Sequence, residues 1–188
     1  MQLCTQDAIY SYADKYDNFR DAFDAINIQE KKIKKVLLLG LGLGSIPYML
    51  ENIYSCFFDY TAIEIDPVIC QLADKYVLGE LESMIQLYPI DAMDFFNWNQ
   101  EKYDLIAMDI FQSANVPAQF ENPEFILQLK NTLSPNGILL YNRLNDDLVN
   151  QERNKLFLKN WQAVFADGRY IETRNNHVYI NDSKHMVD

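Results

Sequence analysis

Val36-Leu37-Leu38-Leu39-Gly40-Leu41-Gly42-Leu43-Gly44-Ser45, followed about twenty residues later by Ala62-Ile63-Glu64-Ile65-Asp66-Pro67, decides how this chain folds. A wholly apolar run suits a strand buried on both faces, and the three alternate glycines suit a sharp turn from that strand into a helix. Glycine adopts left-handed backbone angles without strain, and with no Cβ it lets a ligand come close to the main chain. Glu64, at the end of the next strand, is placed to accept both hydroxyls of a ribose. The two segments together predict a pocket for a nucleoside-bearing small molecule.

Outward from this motif the chain alternates strand-like and helix-like segments, which predicts a parallel sheet covered on both faces. Strands are expected at Val36–Leu39, Tyr60–Ile65, Ile85–Tyr88, Tyr103–Met108 and Ile138–Asn142. Between them, helices are expected from Ser45 to Tyr54, from Asp66-Pro67 to Gly79, from Asp91, and from Asn122-Pro123 to about Leu133. A long helix from about Asn150 to Phe165 follows the turn Ser134-Pro135-Asn136-Gly137 and the fifth strand. Arg169–Thr173 and Val178–Ile180 then form a hairpin about Asn175-Asn176. The fold class is therefore α/β, Rossmann-like and doubly wound, with a mostly parallel seven-stranded sheet ending in an antiparallel hairpin. Upstream, residues 8–27 read as an amphipathic helix with Tyr12, Tyr16, Phe19, Phe23 and Ile26 on one face. The organisation expected is an N-terminal segment, 1–30, and a nucleoside-binding domain, 31–188.

Composition narrows the function. A formal net charge of −11 repels polyanions and argues against a nucleic-acid partner. The basic run Lys31-Lys32-Ile33-Lys34-Lys35 reads as a solvated approach to the first strand of the nucleoside motif. Cys4, Cys56 and Cys70 have no partner at metal-ligand spacing, and neither His177 nor His185 sits in a triad-like or metal-like setting. No metal is expected. The apolar stretch from Val36 to Leu50 is too short and too interrupted to span a bilayer. With no signal peptide read at the N-terminus, the expectation is a cytoplasmic protein without a membrane partner.

The order of these motifs resembles the class I S-adenosylmethionine-dependent methyltransferase fold, and within it the spermidine synthase-like group. Leu3-Cys4-Thr5-Gln6-Asp7-Ala8-Ile9-Tyr10-Ser11-Tyr12 is similar to the segment this group carries just before its nucleotide domain. On that reading the group's N-terminal β domain is essentially missing and the chain starts at its last strand. The resemblance implies S-adenosylmethionine, or its decarboxylated form, as the cofactor. Gly40, Gly42 and Gly44 would line its methionine portion, Glu64 would hold the ribose, and Ile65 would press on the adenine. Asp91 and Ala92 would meet the adenine edge. Asp109 matches the acid that aminopropyltransferases place beside the attacking amine.

Two departures separate this chain from an aminopropyltransferase. Leu43 stands where that group carries an aspartate in the glycine loop, and Gln112 stands where it carries a second acid three residues past the first. In addition, Leu38 occupies the place where many methyltransferases carry an acid. The sequence thus points to methyl transfer to an unidentified small acceptor, with Asp109, Gln112 and Tyr12 as the catalytic candidates and Tyr16 or Asn142 beside them. Aminopropyl transfer and a catalytically silent binding module are the alternatives, and a nicotinamide dehydrogenase fits less well. A chain without the group's first domain is expected to cover its exposed helix by pairing as a homodimer.

Overall fold

The computed structural model describes residues 16–112 and 115–187 and the backbone of two short strands, Leu3–Cys4 (β1) and Ile9–Ser11 (β2), which pair antiparallel. Helix α1, Asp17–Ile26, follows, with Phe19, Ala22, Phe23 and Ile26 buried on one face. The helix expected over 8–27 is therefore shorter: Ile9-Tyr10-Ser11 finds a strand partner in Leu3-Cys4, and the helical stripe holds only from Phe19 onward. Tyr12 lies outside the described residues.

The rest of the chain alternates as expected. β3 (Lys35–Leu39), α2 (Ser45–Asn52), β4 (Asp59–Ile63), α3 (Pro67–Tyr76), β5 (Met84–Tyr88) and α4 (Ala92–Trp98) make the first half. β6 (Tyr103–Met108), α5 (Pro123–Thr132), β7 (Leu133–Leu144), α6 (Leu148–Val164), β8 (Arg169–Glu172) and β9 (Asn176–Ile180) complete it. The seven strands lie in the order β5-β4-β3-β6-β7-β9-β8. Six run in one direction, and β9 runs antiparallel to both of its neighbours, inserted between β7 and β8. This is the doubly wound sheet with a terminal hairpin that the sequence pattern implies.

Alternation along the strands feeds two cores. Val36 and Leu38 face one, with α1 and α2; Leu37 and Leu39 face the other, with α4, α5 and α6. From Val36 to Leu39 β3 is buried on both faces with no polar position, and a one-residue slip would exchange the two cores. Side-chain caps start the helices: Asp66 accepts from the amides of Val68 and Ile69, Asp91 from Met93, Asn122 from Phe125 and Asp147 from Asn150. α3 ends at Val77 rather than at Gly79, which lies in the following 3-10 turn, Leu78–Glu80.

Two turns differ in detail from their sequence reading. Ser134-Pro135-Asn136-Gly137 is looped out within β7, because Tyr103 pairs with Leu133 while Leu105 already pairs with Ile138. In the hairpin, Asn176 is the first residue of β9 and pairs with Leu144, so the turn is made by Arg174 and Asn175. Asn176 is thereby buried, at 4% exposure, which matters below. No helix of the described residues is long and apolar enough to cross a membrane.

One buried acid outside the crevice fastens the helical layer. Glu51, at the end of α2, accepts from the Glu82 amide at 2.8 Å and from the Ser83 amide and hydroxyl at 3.0 and 2.7 Å. Burial alone raises its pKa, but these donors outweigh burial and hold the carboxyl below its ordinary value. A depressed carboxylate stabilises the fold above its unfolded pKa, and that stability is lost as pH falls through the lower, folded value. Glu51→Gln is expected to cost about 2 kcal/mol at neutral pH, the scale of hydrogen bonds to a charged acceptor, and less near pH 3. Urea melts at the two pH values check this; equal losses at both would contradict it.

Candidate active site

Strand carboxyl ends in an open α/β sheet border the ligand crevice where the strand order reverses, and here that point lies between β3 and β6. The glycine loop leaves β3 at this point. Gly40, Gly42 and Gly44 all have positive φ, at 86°, 55° and 83°. For Gly40 the constraint is also steric: a Cβ would sit 2.5 Å from the Asp109 carbonyl oxygen, so only glycine lets the loop pass the end of β6.

Glu64 closes the other side of the loop. Its Oε2 accepts from the Gly42 amide and its Oε1 from the Asp66 amide, each at 3.1 Å. The carboxylate is held in one orientation, facing the loop, and stays half-buried. Ile65 beside it is 63% exposed, an apolar side chain open to solvent. Asp66 caps α3, as its position before Pro67 implies. One strand further out, Asp91 caps α4 through Oδ1, which accepts from Met93 at 2.7 Å; its other oxygen has no protein donor among the described residues. Ala92 is buried beneath it.

Asp109 ends β6, where its amide donates to the Leu39 carbonyl at 2.7 Å. Its Oδ1 accepts from Asn142 Nδ2 at 2.9 Å, and the Tyr16 hydroxyl lies 2.8 and 2.7 Å from Oδ1 and Oδ2. Burial pushes the Asp109 carboxyl up to about 7, against the bonds from Asn142 and Tyr16, and the nearby charge of Glu64 adds to the rise. Tyr16 is pushed well above its ordinary value by burial first and by the Asp109 charge second, so it stays a donor. An acid that titrates near neutrality at the mouth of a crevice is suited to taking a proton.

The expected residues do not all converge. Gly42 is bonded to Glu64, Gly40 donates to the Ile63 carbonyl and Gly44 to the Leu41 carbonyl, and Asp109 lies against Gly40. Gln112 is exposed and pairs through its backbone with Asn115; its side chain makes no bond to Asp109. The loop that carries it is instead fastened outward: Arg153 of α6 bonds Asn115, the Val116 carbonyl and Glu121, and the buried Arg143 pairs with Glu121 at 2.7 Å. Tyr16 and Asn142 are the residues that surround the acid. Asn176, not singled out by any motif, touches Asn142 and joins the same network. Only its place opposite Leu144 in the hairpin register marks it, and that register is not visible in a single sequence. No group of three or more metal-ligating side chains is found among the described residues.

Sheet order defines a class: a Rossmann-like fold of the methyltransferase type. Comparison with known proteins takes the assignment further. The spermine/spermidine synthase domain model matches residues 24–178, and the chain belongs to that family. A polyamine aminopropyltransferase of Vibrio vulnificus is 31% identical over 115 residues, which cover 59% of this chain and 38% of that protein. The eEF1A lysine and N-terminal methyltransferase of Bos taurus is 26% identical over 126 residues, covering 60% of this chain and 18% of that one. This chain thus spans well under half the length of either relative. Human methyltransferase-like protein 13, solved in complex with SAH, superposes with a TM-score of 0.65 at 21% identity, over 87% of this chain and 78% of that chain, and shares the fold.

Proposed function

We propose that this chain binds an adenosyl sulfonium in the crevice and transfers one of its alkyl groups to an amine. The leading reading is aminopropyl transfer from decarboxylated S-adenosylmethionine to a diamine. The observation that carries it is the pair of acids flanking one glycine loop: Glu64, held by Gly42 and Asp66, and Asp109, enclosed by Tyr16 and Asn142. The family and the name of the Vibrio relative support the aminopropyl reading.

In this reading Glu64 accepts the two ribose hydroxyls while the loop amide of Gly42 keeps it oriented. Ile65 covers one face of the adenine, Asp91 accepts from its exocyclic amine, and Ala92 lies below. The sulfonium is already a good leaving group, so alignment supplies most of the rate. What the protein must add is a neutral amine. An acceptor ammonium gives its proton to Asp109, the free nitrogen attacks the carbon next to sulfur, and the carbon–sulfur bond breaks to leave a thioether.

A second reading, methyl transfer from S-adenosylmethionine, is favoured by Leu43 and Gln112. Leu43 is buried at 3% exposure and puts no charge into the glycine loop, and Gln112 is exposed and paired through its backbone with Asn115. The name of the bovine relative supports an amine acceptor for this reading too.

The released nucleoside separates the readings. With decarboxylated S-adenosylmethionine and putrescine, methylthioadenosine and spermidine are expected in equal amounts. S-adenosylhomocysteine formed only from S-adenosylmethionine and amine acceptors would select methyl transfer instead. Neither nucleoside, with adenosyl ligands still bound, would overturn both in favour of a silent binding module.

A further inference from the structure

Asn176 is remote from every motif, yet it is buried at 4% exposure and its Nδ2 donates to Asn142 Oδ1 at 2.9 Å. Asn142 is buried too, at 1%. A primary amide has one accepting end and one donating end, and its orientation is set by the bonds around it. With its oxygen taken by Asn176, Asn142 can offer only its NH2 to Asp109 Oδ1, at 2.9 Å, and to the Tyr16 oxygen, at 3.4 Å. Turned over, it would set NH2 against the NH2 of Asn176 and a carbonyl against the carboxylate. Both contacts repel in a site with little water to relieve them.

Asn176 is itself firmly placed. Its backbone pairs with Leu144, and its carbonyl accepts from the Thr173 amide at 2.9 Å and hydroxyl at 3.1 Å. Thr173 also bonds Asn18 at the start of α1, next to Tyr16. The terminal hairpin thus reaches the acid from two sides, through Asn142 and through the helix that follows Tyr16.

We propose that Asn176 is a positioning residue for Asp109: by locking the Asn142 amide with its donors toward the carboxyl, the terminal hairpin sets the protonation state of the acid. With the Asn176 NH2 held on Asn142 Oδ1, a protonated Asp109 finds no acceptor on Asn142, so that arrangement of the two amides favours the charged form. The groups that face Asp109 are Tyr16 just before α1, Asn142 from β7 and Glu64 beyond β4, and Asn176 acts on it only through Asn142. The catalytic consequence rests on the alkyltransferase reading; the electrostatic one does not.

The test is a ¹³C titration of the Asp109 carboxyl in the full chain without ligand. The starting midpoint is about 7. In Asn176→Leu the Asn142 amide is free to turn its oxygen to a protonated Asp109, and the midpoint is expected to rise by about one unit. In an Asn142→Leu background the same replacement is expected to move it by less than about 0.3 units, because its route is gone. Asn176→Ala, which adds no bulk, carries the same comparison. No movement in the first comparison, or equal movement in both backgrounds, overturns the proposal. If transfer occurs, the acid limb of kcat/KM should follow the midpoint while adenosyl-ligand affinity stays unchanged. A shifted midpoint in a protein that transfers nothing would count against the alkyltransferase reading alone.

Discussion

Replacing Glu64 by alanine is expected to weaken binding of S-adenosylhomocysteine or methylthioadenosine about a hundredfold. Two hydrogen bonds from ribose hydroxyls to a carboxylate are worth roughly 3 kcal/mol together, which is about two decades in affinity. The same substitution frees the Gly42 and Asp66 amides, which Glu64 now holds at 3.1 Å each, so the glycine loop loses its tie to the next strand. Glu64→Gln separates the two effects. It keeps an acceptor for one amide but offers a weaker, uncharged partner to the diol, and an intermediate loss is expected. Calorimetry on the three proteins checks this. Unchanged affinity in Glu64→Ala would mean that no ribose sits there.

Asp109→Asn is expected to lower kcat by about a hundredfold to ten-thousandfold, the range for losing a positioned general base. Adenosyl-ligand affinity should change little, since Asp109 lies on the acceptor side of the loop. The sign of the pH dependence follows from the raised pKa. Below pH 7 the wild-type carboxyl is largely protonated and cannot take a proton; above it the base is available. The wild-type kcat/KM should therefore rise with pH through about 7, and the Asp109→Asn profile should lack that limb. Steady-state rates across pH 5.5 to 8.5 decide it, a window of about 1.5 units either side of the midpoint. An unaltered profile in the variant would remove Asp109 from the chemistry.

Much of this site is legible in the sequence because its donors and acceptors are local. Gly40, Gly42 and Gly44 announce a strand-to-helix turn by their spacing, and Glu64 and Asp109 fall where apolar strands end. Asp66 and Asp91 precede helices and cap them, as short-range rules require. The terminal hairpin is equally readable, since Asn175-Asn176 separates two short strand-like runs, although the turn itself falls one residue earlier.

What escaped the sequence depends on register and on long-range packing. Gln112 sits three residues past Asp109, a spacing that suggests a shared site, but Arg153 and Glu121 draw its loop toward α6. Tyr16 looks like one more aromatic on an amphipathic stripe, yet its position just before α1 brings its hydroxyl to a residue 93 positions away. Asn176 reads as a turn residue; the hairpin is one step shorter, which turns its side chain inward onto Asn142. α1 starts later than its helical pattern, which reaches back to residue 8, because Ile9-Tyr10-Ser11 pairs as a strand with Leu3-Cys4.

The departures Leu43 and Gln112 acquire meaning in this setting. On the alkyltransferase reading, a glycine loop without an acid leaves Asp109 as the carboxylate beside the acceptor amine, and its protonation state would then govern the step. That dependence makes the enclosure of Asp109 by Tyr16, Asn142 and Asn176 consequential, whichever alkyl group moves.

A crystal structure with methylthioadenosine bound bears most directly on the account. The account expects both ribose hydroxyls on the Glu64 carboxylate, the adenine against Ile65 with its amine at Asp91, and the thioether directed toward Asp109. A nucleoside bound elsewhere, or a crevice closed by Leu41 and Leu43 with Glu64 bonded only to Gly42 and Asp66, would contradict it.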